Sequence, residues 1–137
     1  MYGTIVFSTH RMIKSPTRFE VGQYITGFAE FLINIGDSFT LSDGIFTAPR
    51  NGIYEFSASA YHQETNDNRL TVVKNDEQIL KFLDWYRDGN SGDWDWTLTF
   101  NWIMELEKGD EVRLQVDAGY FLCGENKNCM FNGKYIM

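Results

Sequence analysis

The stretch Gly44-Ile45-Phe46-Thr47-Ala48-Pro49-Arg50-Asn51-Gly52-Ile53-Tyr54-Glu55-Phe56 decides the fold. Gly44 and Gly52 mark sharp turns, because glycine alone adopts left-handed backbone at little cost. Pro49 presets a loop between two extended segments. After Gly52, Tyr54, Phe56, Ala58 and Ala60 share one face and Ile53 and Glu55 the other. That is the period of a strand with one face against a core. Tyr54 and Phe56 are the expected core anchors.

The same period continues outward. Trp94, Trp96, Leu98, Phe100, Trp102, Met104 and Leu106 alternate with Asp95, Thr97, Thr99, Asn101 and Glu105, Ile103 being the one apolar residue opposite. No helix produces that pattern. Glu107-Lys108-Gly109-Asp110 is a tight turn, and Val112, Leu114 and Val116 then alternate with Arg113, Gln115 and Asp117. Together these read as a β-hairpin with one buried face. Further strands are expected over residues 4–11, 28–34, 70–74, 78–85 and 130–136, with Asn75-Asp76 as a hairpin turn. Eight to ten short strands with no helical period between them predict an all-β sandwich or jelly roll. Residues 1–137 form one domain on this reading, large enough to bury about two-thirds of the unfolded surface.

Composition narrows the function classes. Aromatics make up 16% of the chain, and 19 acidic against 12 basic residues leave a net charge of −7. No basic stripe is present, which excludes phosphate-driven nucleic-acid binding. Apolar runs reach only about five residues, too short for a membrane helix. Met1-Tyr2-Gly3 leads directly into strand-like sequence, so no leader is read there. Cys123 and Cys129 are the only cysteines and flank a turn-like stretch. An even count and a short loop favour a disulfide over two free thiols, and zinc would need His10 or His62, neither close in sequence.

Four blocks, in order, resemble the globular head domain of complement C1q. The signature is Gly44 to Phe56. Before it stands Phe31-Leu32-Ile33-Asn34-Ile35-Gly36 with Phe39. After it come Leu106-Glu107-Lys108-Gly109-Asp110-Glu111-Val112-Arg113-Leu114 and Phe131-Asn132-Gly133-Lys134-Tyr135-Ile136. The resemblance implies a ten-stranded jelly roll related to tumour necrosis factor, a homotrimer and secretion to the extracellular space. A trimer also answers a physical question: Ile53, Tyr61, Val73 and Ile103 are apolar on faces that would otherwise be solvated. Family members often carry a collagen-like or coiled-coil stalk at the N-terminus, and none is read here.

The segment from Asp84 to Trp96 gathers acids and aromatics in a loop. The family resemblance implies calcium held by Asp84 and by Asp93 or Asp95, since hard cations take carboxylate oxygens. Trp85, Tyr86, Arg87 and Trp94 are the expected ligand-binding residues: aromatic faces with nearby hydrogen-bonding groups suit carbohydrate. Trp96 and Trp102 are expected in the core or an interface. Residues 61–69 form a second polar loop, with His62 as a surface histidine. Catalysis lacks its parts: His10 and His62 are isolated, neither cysteine has a histidine partner, and no phosphate loop or nucleophile elbow is present. The sequence is therefore expected to encode a secreted, non-catalytic recognition protein that binds glycan or microbial surfaces multivalently. The alternative is a trimeric ligand for a protein receptor.

Overall fold

The computed structural model describes residues 3–62, 67–85, 96–125 and 129–137, with backbone alone at 84, 85 and 96. These form β1 (Val6–His10), β2 (Thr17–Glu20), β3 (Glu30–Ile35), β4 (Phe39–Thr40), β5 (Ile45–Thr47) and β6 (Gly52–His62). There follow β7 (Asp67–Lys74), β8 (Glu77–Trp85), β9 (Trp96–Leu106), β10 (Glu111–Ala118), β11 (Tyr120–Cys123) and β12 (Met130–Tyr135). One sheet has seven strands in the order β2-β11-β6-β12-β1-β3, with β9 also paired to β6; the other has five, β4-β5-β10-β7-β8. The result is the expected all-β jelly roll. The strand count exceeds ten because short ladders are separate: β2 and β11 pair over four residues at the sheet margin, and β4 has two residues.

Between the sheets lies an aromatic core. Tyr54 and Phe56 on β6 are fully buried, as the signature predicts. Phe46 packs edge-on against both, at 5.3 and 5.0 Å. Phe7 stacks on Phe39 at 4.5 Å, and Phe82 stacks on Phe100 at 4.3 Å across the two sheets. Each such pair contributes about 1 kcal/mol beyond its area burial. Gly133 is spaced by this packing: a Cβ there would lie 2.6 Å from Phe7 Cε1 and 2.7 Å from Phe56 Cδ1. Two rings from flanking strands close over the bare backbone, which is why β12 reads Asn132-Gly133-Lys134.

One expected hairpin is not formed. β9 pairs with β6 in the large sheet, whereas β10 pairs with β5 and β7 in the small one. The turn at 107–110 therefore crosses between sheets. Both strands alternate and both bury one face, so period two identified the buried face but not the partner. Val73 also departs from expectation. It is 1% exposed and lies in register between Arg113 and Gln78, the Arg113 guanidinium sitting over the Tyr24 ring at 3.5 Å. The Asn75-Asp76 hairpin is as expected: both residues have positive φ, 50° and 67°, the backbone of a type I′ turn.

The crossing turn is fastened to that hairpin by Asp110. Asn75 Nδ2 donates to Asp110 Oδ1 at 2.9 Å, and Glu107 N donates to Oδ2 at 2.8 Å. The Asn75 bond chiefly, with the Glu107 amide and Lys74, holds the Asp110 carboxyl below its ordinary value. The folded pKa is depressed, so the carboxylate's stabilisation is complete above the unfolded value, about 3.9, and is lost as pH falls through the folded value. Asp110→Ala is expected to lower unfolding free energy by about 1–2 kcal/mol at neutral pH. The loss should shrink in urea titrations as pH drops below about 4.

Cys123 and Cys129 are joined, with Cα atoms 5.4 Å apart. Neither is a thiolate in this state. The loop closed by the bond is short, and the expected stabilisation is about 2 kcal/mol.

Candidate functional site

The strand registers define two ends of the sandwich. At one end Gly52 opposes Leu106 and Tyr54 opposes Tyr135, so both chain termini emerge there. At the other, His62 opposes Trp96 and Asp67 opposes Trp85. The acidic aromatic loop leaves β8 in the small sheet and returns as β9 in the large one. Both of those strand ends lie at the end distant from the termini. Tyr86, Arg87, Asp93, Trp94 and Asp95 lie outside the described residues. Asp84 and Trp85 are placed by backbone at the last two positions of β8, opposite Asn68 and Asp67.

Beside the root of this loop is a charged rim that the sequence did not reveal. Arg69 Nε donates to Asp67 Oδ1 at 3.0 Å, and a second nitrogen of the same guanidinium pairs with Asp67 Oδ2. Asp117 lies 3.7 Å from Arg69 Nη1 and 3.2 Å from Lys81 Nζ. The Asp67 bond holds Arg69 still more firmly protonated than usual. Three strands, β7, β8 and β10, supply these residues. Their juxtaposition follows from sheet order, and no local sequence signal announces it. Asp67 and Asp117 are already matched by cations, so they are poor cation ligands. Among the described residues, no three His, Cys, Asp or Glu side chains come together as a metal site.

His62 differs from expectation. It is 2% exposed and meets the ring of Phe121 edge-on at 5.6 Å. The end of β6 is covered by β11, which the local polar sequence did not indicate. His10 instead contacts Glu30 Oε1 at 3.1 Å near the surface. The two histidines sit at separate positions with separate partners.

The outer face of the large sheet is a second surface. Its register sets Ile35, Val6, Lys134, Glu55 and Ile103 in one row across five strands. The next row is Ile33, Ser8, Asn132, Ser57 and Asn101. Ser8 Oγ donates to Asn132 Oδ1 at 2.6 Å, and Asn132 Nδ2 donates to Ser57 Oγ at 3.1 Å. Lys134 and Glu55 pair at 3.4 Å. A hollow of about 350 Å³ lies over these rows. Ile103 is 61% exposed at the margin, and Ile33 and Ile35 are exposed at the other.

The sequence profile of the C1q domain matches residues 6–137. The chain belongs to the C1q-domain family. Human complement C1q tumor necrosis factor-related protein 3 is 28% identical over 93 residues, covering 67% of this chain and 36% of the relative. The mouse protein of the same name gives the same figures. The chain thus spans about a third of the length of these curated relatives. Among solved structures, the globular domain of zebrafish complement 1qA superposes with a TM-score of 0.77 at 23% identity, covering 98% of each chain. Eiger TNF from S. frugiperda gives 0.80 at 12% identity, covering 99% of this chain and 94% of that one. These structural likenesses establish the fold.

Within this C1q domain, the signature residues Tyr54 and Phe56 are core, and Gly44 is a backbone requirement. The segment that identifies the family therefore builds the scaffold. The exposed chemistry lies elsewhere: on the charged rim at the distal end, and on the outer face of the large sheet.

Proposed function

We propose that this C1q domain is an extracellular, non-catalytic recognition head that assembles as a homotrimer and binds glycan or microbial surfaces through its distal end. The observation that carries the reading is directional. Both termini leave at one end, and the ends of β8 and β9 that bound the sequence rich in acids and aromatics lie at the other, β8 beside the Asp67–Arg69–Asp117–Lys81 rim. A head tethered at its base presents that end outward. The disulfide suits an oxidising compartment. Trp85, Tyr86, Arg87 and Trp94 would supply stacking faces and hydrogen bonds, and Asp84 with Asp93 or Asp95 would hold calcium through carboxylate oxygens. Three copies would turn weak single sites into useful avidity.

Glycan arrays and binding to whole bacteria, each with calcium and with a chelator, test this. Binding that soluble sugar competes away, and that Trp94→Ala abolishes, is the expected result. Absence of glycan binding combined with saturable capture by one cell-surface protein would favour the receptor-ligand reading. Insensitivity to the chelator would remove the metal.

The trimer rests on the outer face of the large sheet, where exposed isoleucines flank a shallow hollow. Ile103→Asp places a charge where a neighbouring copy would desolvate it. Sedimentation analysis should show the wild type near three chain masses and the variant near one. Circular dichroism should be unchanged, since Ile103 contributes little to the core. A variant that stays trimeric would move the interface elsewhere.

A further inference from the structure

β8 is an edge strand of the small sheet and, among the described residues, pairs with β7 alone. Burial holds it only thinly: Ile79, Leu80 and Leu83 are 37%, 38% and 56% exposed. Strand edges of this kind fray and slip unless something pins them. Three side-chain bridges among the described residues do so here. Each starts on the solvent face of β10, passes over β7 and ends on β8 or on the turn before it. Arg113 Nη2 donates to Asp76 Oδ1 at 3.0 Å, Gln78 Nε2 donates to Gln115 Oε1 at 3.0 Å, and Lys81 Nζ meets Asp117 Oδ2 at 3.2 Å. In register with Gln115 and Arg113, Thr71 and Val73 on β7 are 0% and 1% exposed although they face outward.

The third bridge differs from the other two. The β10–β7 register shifts between Val116 and Ala118, so Asp117 is the extra residue of a β-bulge. A bulge re-aims a side chain that regular pleating would send elsewhere. Asp117 Oδ2 stands between two cations, Lys81 Nζ on β8 and Arg69 Nη1 on β7, the latter at 3.7 Å. Arg69 in turn grips Asp67 through two nitrogens. The Asp117 side chain is 17% exposed, so solvent screens it less than a fully exposed pair. Two residues on, Gly119 at φ +70° packs bare backbone against β7: a Cβ there would press on Asn68 Oδ1 and lie 2.8 Å from the Asp67 carbonyl oxygen. Asp67 and Asn68 are the residues opposite Trp85 and Asp84. The bulge therefore gathers β7, β8 and β10 at the one place where β8 ends.

We infer that Asp117 is a positioning residue for the distal recognition end: through Lys81 and Arg69 it fixes where the backbone of Asp84 and Trp85 stands. This rests on the distal end being the recognition end, and it holds for a glycan or a protein ligand alike. Asp117 is not itself a ligand contact, because its carboxylate is already engaged by two cations. The ladder to β7 supplies the pairing of β8, and the clamp suppresses the opening that an edge strand otherwise shows at its end. An end that opens less has less freedom to lose on engaging a ligand.

Hydrogen–deuterium exchange of the full chain tests the clamp without any ligand. In Asp117→Asn the slowly exchanging amides of residues 80–85 should exchange about fivefold faster, while those of β1 and β12 keep wild-type rates and the melting temperature stays near wild type. The wild type should show the same loosening in about 1 M sodium chloride, where charges are screened beyond about 3 Å, and Asp117→Asn should show no further response. Asp117→Glu keeps the charge and should restore most of the protection. On a glycan array Asp117→Asn should bind about fivefold more weakly than wild type, and Asp117→Glu should recover. A wild type that binds no glycan while exchange behaves as expected ends the glycan reading and keeps the clamp. Unchanged exchange in Asp117→Asn, loosening that Asp117→Glu fails to correct, or loosening with undiminished glycan binding would overturn the proposal.

Discussion

Gly44→Ala is expected to lower unfolding free energy by about 4 kcal/mol. Two independent effects add. Gly44 has φ of +68°, a backbone conformation that alanine adopts only under strain. The added Cβ would also press on the Ile25 carbonyl oxygen, well inside van der Waals contact, and sit 3.2 Å from Phe28 Cε2. Neither neighbour can yield cheaply. Ile25 is held because its own amide bonds to the Leu114 carbonyl at 2.9 Å, and Phe28 is wedged edge-on against Phe39 at 5.4 Å. Gly109→Ala is the control. Its φ is +93°, yet a Cβ there meets nothing within 4 Å. That variant should lose only the conformational share, about 1 kcal/mol. Urea denaturation of both variants separates strain from crowding. Equal losses would show that crowding at Ile25 contributes nothing.

That comparison bears on what could be read from the sequence. Gly44 was legible as a turn because glycine before an apolar run is a local signal. The reason no other residue serves is a carbonyl 19 positions earlier, which is not local. The same division recurs elsewhere. The alternation in β9 and β10 correctly placed Leu98, Phe100, Trp102, Val112 and Leu114 inward. It could not say that the strands belong to opposite sheets, because period two encodes a face and never a partner. His62 looked like part of a polar loop, yet β11 arrives from 60 residues away to cover it with Phe121. Val73 looked solvated, yet Arg113 and Gln78 flank it in register.

The candidate sites divide along the same line. The distal loop was visible as a contiguous run of acids and aromatics. The rim at the root of its strands draws on three chain segments, with no run of sequence to betray it. It becomes visible only once β7, β8 and β10 are set side by side. A contiguous run is legible in sequence whatever its chemistry, whereas a cluster assembled by sheet order is not.

Arg11→Met is expected to cost about 3–4 kcal/mol. Arg11 is 6% exposed and makes no ion pair among the described residues. Burial pulls its pKa below the ordinary value, but arginine starts so high that the group stays charged. Its charge is spread over neutral partners. Nε donates to the Thr26 carbonyl at 2.6 Å, Nη1 to the Cys123 carbonyl at 2.8 Å and Nη2 to Thr17 Oγ1 at 3.0 Å. The guanidinium also sits over the Phe19 ring at 4.9 Å. Methionine fills similar space and offers no donors, so two carbonyls and a hydroxyl lose their partners, at about 1 kcal/mol or more each. The disulfide meets this residue from both sides, since the Arg11 amide also donates to the Cys129 carbonyl at 2.9 Å. The two devices should therefore be coupled. With the bond intact, the Cys123 carbonyl is held in place and must go unsatisfied when the guanidinium is removed. With both cysteines replaced by serine, the 123–129 loop can relax and hydrate that carbonyl. Arg11→Met should accordingly cost at least 0.5 kcal/mol less in the serine background than in the wild type. Urea denaturation of the four proteins of this double-mutant cycle measures the difference, and strict additivity would show that guanidinium and disulfide act independently.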